Sequence, residues 1–398
     1  MERSGSKNEN KSMSENDYKK GSFGYDLNYV SKHQKIIVLK DASEKAQVLI
    51  CPEYQGRVMT STATGTQGKS FGYLNYERIG SKKETPQIQS YGGEDRFWIG
   101  PQGGQYGIFF KKGDPFDLNH WETPPPLDKE AFELISHTDS AVHFFKKMHL
   151  QNFSGTGFDV EVRRDIVLID KATASKFLEV DVQNVDFVGF ESRNQLINAG
   201  KETWQKSKGL LSIWVLGMFP GNPSTTVAIP FKGMYKNEQV VAEYFTDIVG
   251  KLPADRLKKT DKMVYYKGDG NYCSKIGLTA KHALPVFGSY NAADNVLTII
   301  QYSFPQGEND YVNSSFAFQK EPYKGDVVNS YNDGTLDHKP AQATFYELES
   351  SSPSKELKTR QSIKHSHRTF HFVGDRTKLG AIAKAILGTG IDEIQSQF

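Results

Sequence analysis

In segment after segment of this 398-residue chain, apolar and polar side chains take turns one by one. Phe158, Val160 and Val162 alternate with Asp159, Glu161 and Arg163, and Leu178, Val180 and Val182 with Glu179, Asp181 and Gln183. Successive side chains of an extended backbone point to opposite faces, so this period gives a ribbon with one dry and one wet side. Further strand-like runs, rich in β-branched and aromatic residues, lie at 36–39, 48–51, 142–145, 166–169, 210–216, 226–230, 264–266 and 296–302. Turn formers such as Asn332-Asp333-Gly334 and the stretch 290–295 punctuate them. The pattern predicts an all-β chain. One stretch alone reads as helix: Asp375 suits an N-cap, Leu379, Ile382, Ala383 and Ile386 follow at helical spacing, and Gly388 stands where a left-handed cap falls. That helix is expected to lie on the sheets.

Lysines and arginines number 49 against 47 acidic residues, and a net charge of +2 offers no basic stripe for nucleic acid. The 25 Phe, 19 Tyr and 4 Trp can build a large core. Two cysteines, Cys51 and Cys273, cannot make a disulfide framework or a four-thiolate zinc site. No run approaches the ~18 apolar residues that span a bilayer as a helix. Residues 1–21 are expected to be a disordered polar tail, and residues 22–398 a single domain without internal linker or repeat. The tail is either a frayed terminus or a tether left after removal of a lipoprotein signal. The second case implies a periplasmic or lipid-tethered extracytoplasmic location.

Gly65-Thr66-Gln67-Gly68-Lys69-Ser70 is too short for a phosphate loop and is not followed by a helical pattern. The richest segment is Gly92-Gly93-Glu94-Asp95-Arg96-Phe97-Trp98-Ile99-Gly100-Pro101-Gln102-Gly103-Gly104, with glycines that let backbone approach a ligand closely. A sugar offers hydroxyls and an apolar C–H face, which carboxylates (Glu94, Asp95), a guanidinium (Arg96) and an indole (Trp98) answer. The alternative is a buried Arg–carboxylate brace with Trp98 in the core. Asn119-His120-Trp121-Glu122-Thr123-Pro124 reads as a rigid loop whose Trp121 rims the same cleft. In Phe345-Tyr346-Glu347-Leu348-Glu349 the two glutamates share a face, as general base and hydroxyl clamp or as a solvated surface. His365, His367 and His371 share one strand face, expected to be a polar edge or an outward face, with no metal site. Asp326, Asn329, Asn332 and Asp333 lack calcium-loop spacing and read as a turn.

Taken together, the Gly92–Gly104 segment, Gly325-Asp326-Val327-Val328-Asn329-Ser330-Tyr331-Asn332-Asp333-Gly334 and Phe345-Tyr346-Glu347-Leu348-Glu349-Ser350-Ser351-Ser352-Pro353 resemble the galactose mutarotase-like superfamily, and more closely an uncharacterised bacterial family within it. The resemblance covers residues 22–398. It implies a supersandwich of antiparallel sheets with a short C-terminal helix and a carbohydrate cleft. It also implies a late-strand glutamate as base, matched here by Glu347 or Glu349, and an arginine similar to Arg96.

The resemblance breaks at the acid. Those epimerases carry a central-strand histidine, and this chain has none between His149 and His282. The matching stretch offers Asn198 and Trp204, so His120, or another imidazole such as His282, would have to replace the acid. The expectation is a carbohydrate-binding protein, with epimerase-like acid/base chemistry if it is an enzyme. A polysaccharide lyase or hydrolase relative, or a non-catalytic structural domain, is the alternative. No cofactor, metal or nucleic-acid partner is expected.

Overall fold

The computed structural model describes residues 18–81, 83–233, 240–246, 250–334 and 344–398, so the expected tail up to residue 17 lies outside them. In chain order the strands are β1 (Ile37–Lys40), β2 (Gln47–Cys51), β3 (Arg57–Thr62), β4 (Arg96–Gly100), β5 (Glu133–His137), β6 (Ala141–Gln151), β7 (Gly157–Ile169), β8 (Asp186–Asn198), β9 (Ser212–Pro220) and β10 (Thr225–Pro230). They continue as β11 (Ala242–Tyr244), β12 (Leu257–Lys259), β13 (Met263–Lys267), β14 (Ser274–Thr279), β15 (Val286–Asn291), β16 (Val296–Tyr302), β17 (Asp326–Asn332), β18 (Phe345–Ser351) and β19 (Ser362–Val373). The fold is all-β, as the alternation predicts. One sheet has ten strands in the order β12-β13-β10-β15-β16-β19-β8-β7-β6-β5, a second has six in the order β11-β14-β17-β18-β9-β4, and β1–β3 form a third. Pairing within them is antiparallel.

Every predicted strand run falls in a strand except one. Phe158, Val160 and Val162 are buried along β7. The Leu178–Val180–Val182 alternation is instead preceded by a helix, Lys171–Leu178, capped by Asp170, whose carboxylate accepts from the Thr173 amide. Ala174 and Leu178, four apart, bury its inner face, and Glu179 turns left-handed at φ 56° to end it. Capping and i,i+4 packing override the local period of two. The C-terminal helix Arg376–Leu387 forms as expected: Asp375 accepts from the Thr377 and Lys378 amides, and Gly388 closes it at φ 80°.

One face of the six-stranded sheet packs on the ten-stranded sheet, and hydrogen bonds as well as hydrocarbon join them. Ser350 Oγ of β18 lies 2.8 Å from both His365 Nε2 and His367 Nδ1 of β19. Tyr346 and Ser289 hydroxyls meet at 2.8 Å. The three imidazoles of β19 therefore point inward and are buried, contrary to the polar edge or outward face expected of them. Ser303, Ser350, Thr298 and Glu94 supply their partners, which makes burial of imidazole affordable.

Candidate functional site

The register of the six-stranded sheet fixes what its other face presents. Arg96 pairs with Leu216 and Trp98 with Trp214. Glu349 pairs with Leu216 on one side and Asn329 on the other, Asn329 with Gly277, and Lys275 with Tyr244. Because paired residues share a face, Arg96, Trp98, Trp214, Glu347, Glu349, Asn329, Lys275 and Tyr244 all stand on the side turned away from the ten-stranded sheet. The early guanidinium and the late glutamates, some 250 residues apart in the chain, thus meet on one surface.

Over part of this face opens a cleft of about 560 Å³. Its floor carries Lys275, Asn329, Asp326, Ser212, Trp214 and Ser351, and its walls include Phe116, Tyr244, Phe245 and Phe316. One wall is clasped by glutamines: Gln105 Nε2 donates to the Gln319 carbonyl at 2.8 Å, and the Gln319 amide returns a bond to Gln105 Oε1 at 2.9 Å. Gly103 permits the clasp, since a Cβ there would fall 2.5 Å from the Ser315 carbonyl oxygen. That glycine serves a protein–protein approach within the chain, not the ligand approach expected of it.

Glu349 is fully buried under the floor. Its Oε2 accepts from Trp214 Nε1 at 2.9 Å and Lys275 Nζ at 2.8 Å. The Lys275 ammonium also sits 4.9 Å over the Trp214 ring. Glu347 is hydrogen-bonded to Glu349, and burial, then the Glu349 charge, holds its carboxyl well above the ordinary carboxylate range. Two buried carboxyls side by side cannot both ionise, so the pair shares one proton. Asp326 accepts from the Tyr244 hydroxyl and from Asn329 Nδ2. Burial raises its carboxyl too, more than those bonds lower it. The floor thus sets a carboxyl of raised pKa in the cleft, with Lys275 and Glu349 within electrostatic reach.

Arg96 belongs to the same face but not to the cleft lining. Its Nη2 binds Asp128 Oδ1 at 2.7 Å and its guanidinium stacks 4.3 Å over Trp98, leaving Nε and Nη1 without hydrogen-bond partners among the described residues. Burial lowers its pKa, against the opposing pull of Asp128 and then Glu347. Trp98 packs on Trp214 and Trp121, and Trp121 stacks on Phe109, so both indoles are part of the aromatic backing behind the cleft.

The remaining expected site residues stand elsewhere. Glu94 accepts from the Ser61 amide at 2.6 Å and faces His371 Nε2 at 3.0 Å. Asp95 binds Arg164 at 2.5 Å and Ser192 at 2.7 Å. Both are buried braces between sheets: Asp95, adjacent to Arg96, points to the opposite side, and Glu94 lies before the start of β4, where the strand alternation does not hold. Asn198 donates to the Glu202 and Leu357 carbonyls, each at 2.8 Å, and Trp204 packs edge-on against Phe158. His120 pairs at 2.7 Å with Asp117, which lines the cleft, while the imidazole itself is half-exposed.

Sequence reasoning missed Lys275, Asn329, Asp326, Trp214 and Tyr244 as a set. Asp326 and Asn329, read as a turn, lie on the central strand β17, where a cluster of side-chain amides and acids marks a lined face. The usable signal was Gly277 within a strand: a Cβ there would fall 1.9 Å from Asp326 Oδ2 and 2.5 Å from Asn329 Nδ2. Among the described residues no group of three or more His, Cys, Asp or Glu is arranged to hold a metal ion. No helix among them is long and apolar enough to cross a membrane.

The fold is shared with the Slr1438 protein of Synechocystis sp. PCC 6803, at TM-score 0.51 and 12% identity over 86% of this chain and 96% of that one. A galactose mutarotase-like protein from Lactobacillus casei superposes at TM-score 0.49 and 10% identity, over 85% of this chain and all of that one (100%). A galactose mutarotase related enzyme from Lactobacillus acidophilus follows at 0.46 and 10%, over 85% and 98%. Among curated proteins, none matches in sequence. The model of a family described as of unknown function (DUF6786) matches residues 21–398.

Proposed function

The chain belongs to that family, DUF6786, and we propose that it binds a carbohydrate in the cleft over its six-stranded sheet. The observation that carries this is the division of the cleft into a floor of hydrogen-bonding groups and walls of aromatic rings. A pyranose needs both, donors and acceptors for its hydroxyls and a flat apolar surface for its C–H face. The volume lies within the ~300–1,000 Å³ usual for small-molecule sites. A glycan array on the full chain, repeated with Asp326→Ala and Asn329→Ala, tests it. Each variant is expected to weaken saccharide binding about five- to tenfold, the worth of roughly one good hydrogen bond. Wild-type protein that retains no saccharide overturns the proposal.

Acid/base chemistry at a sugar is the second reading, favoured by two carboxyls in different surroundings, Asp326, whose pKa burial raises, and Glu349, paired with Lys275. Carboxyls whose surroundings separate their protonation states are suited to act as acid and base. In this reading Asp326 takes the place of the absent central histidine, and His120, out on the loop, plays no direct part. Polarimetry on a panel of aldoses decides it: anomer exchange no faster than in buffer removes the epimerase reading. Cleavage of an oligosaccharide panel, or new ultraviolet absorbance from uronates, would move the protein to the hydrolases or lyases.

A further inference from the structure

We propose that the cleft takes an oligosaccharide, and that its second sugar unit stacks on an aromatic rim centred on Phe318. This rests on the carbohydrate reading above and extends it from one unit to two.

Large apolar side chains are seldom left in water without a use when they adjoin one another and a pocket. Phe318 is 73% exposed and Leu118 45%. Leu118 lines this cleft, and Phe318, next in the chain after the lining residues Phe316 and Ala317, packs on the lining ring of Phe116. The Phe318 ring is not loose. Phe116, itself a lining residue, meets it nearly edge-on at 5.3 Å and 73°, and Phe153 does so at 5.8 Å and 80°. Phe116 in turn is backed by Phe110 at 5.2 Å. Edge-on support from two neighbours holds the Phe318 ring in place while leaving a face to solvent, so stacking there costs little side-chain entropy.

The rim is continuous with the polar floor through Phe116, Phe316 and Leu118. A ligand that fills the floor and still reaches Phe318 must carry a polar unit joined to one with a broad apolar face. A glycosidically linked second pyranose has that form. A free monosaccharide would satisfy the floor and leave the rim wet.

Titration calorimetry of the full chain with maltose, cellobiose, lactose and mannobiose, each against the methyl glycoside of its terminal unit, tests the proposal. For the sugar that binds, the disaccharide is expected to bind about three- to tenfold more tightly than the methyl glycoside, the range of one aromatic stacking contact. Phe318→Ala should abolish that increment and leave the methyl glycoside unchanged, and Phe318→Tyr should restore it. Asp326→Ala should weaken both. Equal affinity for one unit and two, or an increment that survives Phe318→Ala, overturns the rim while leaving the floor standing. A Phe318-dependent gain seen with a nitrophenyl glycoside but not with any disaccharide also overturns it, assigning the rim to an apolar aglycone. If no saccharide binds at all, floor and rim fall together.

Discussion

Glu347 keeps its proton at a cost. Its folded pKa lies well above the ordinary value of 4.5, with burial the largest cause and Glu349 the next. Between those two values the folded chain holds a proton that the unfolded chain has released, so stability falls as pH rises through that window. Glu347→Gln keeps a donor toward Glu349 without a titrating group. It is therefore expected to raise the thermal midpoint at pH 8 more than at pH 5, and a variant of lower midpoint at both would contradict the shared proton. At this scale the sequence was half legible. Alternation along one strand placed Glu347 and Glu349 together, and the resemblance brought Arg96 to their side. It could not show that Glu94 and Asp95, just before β4, turn away from Arg96 to brace Ser61, His371, Arg164 and Ser192. Lys275 gave no signal of its own, since its role comes from a carboxylate 74 residues away.

The strand β14 shows how an element makes room for chemistry. Gly277 lies under Asp326 and Asn329, and a Cβ at that position would overlap both side chains. Gly277→Ala is expected to leave the sheet intact, because the conflict is with movable side-chain ends, but to displace both groups from the floor. Saccharide affinity should drop about tenfold, the equivalent of about 1.4 kcal/mol, with unchanged circular dichroism. An unaltered affinity would show that Asp326 and Asn329 do not hold ligand. Strands and the capped C-terminal helix were readable because periodicity and caps are local. The helix Lys171–Leu178 was not, since its apolar residues also fit a two-residue alternation over the next turn.

Across the whole molecule, the contact between the two large sheets carries buried polar pairs and is sensitive to acid. Burial depresses His365 to about 3 and His367 to about 4, in the latter against the pull of Asp95. Below about pH 6.5 the unfolded chain takes up protons on these imidazoles that the folded chain refuses, so their contribution to stability is present above 6.5 and lost as pH falls toward 4. Asp26, raised by burial to about 6, pulls the other way. His367→Gln, which can still meet Ser350, should therefore flatten the decline in denaturation midpoint between pH 6.5 and 4.5 relative to wild type. An identical pH profile would place the imidazoles outside the linkage. The inward turn of these histidines escaped the sequence because their partners come from β16, β18 and the segment before β4.

The order of strands in the six-stranded sheet also bears on the making of the protein. β4, β9, β14, β17 and β18 come from positions spread between 96 and 351, with the last to be synthesised seated between β17 and β9. On the ribosome, the neighbours of that gap must wait with unpaired edges until the final quarter of the chain emerges. A nascent or truncated polypeptide ending before Ser351 has no complete floor, so ligand capture becomes a signature of finished synthesis.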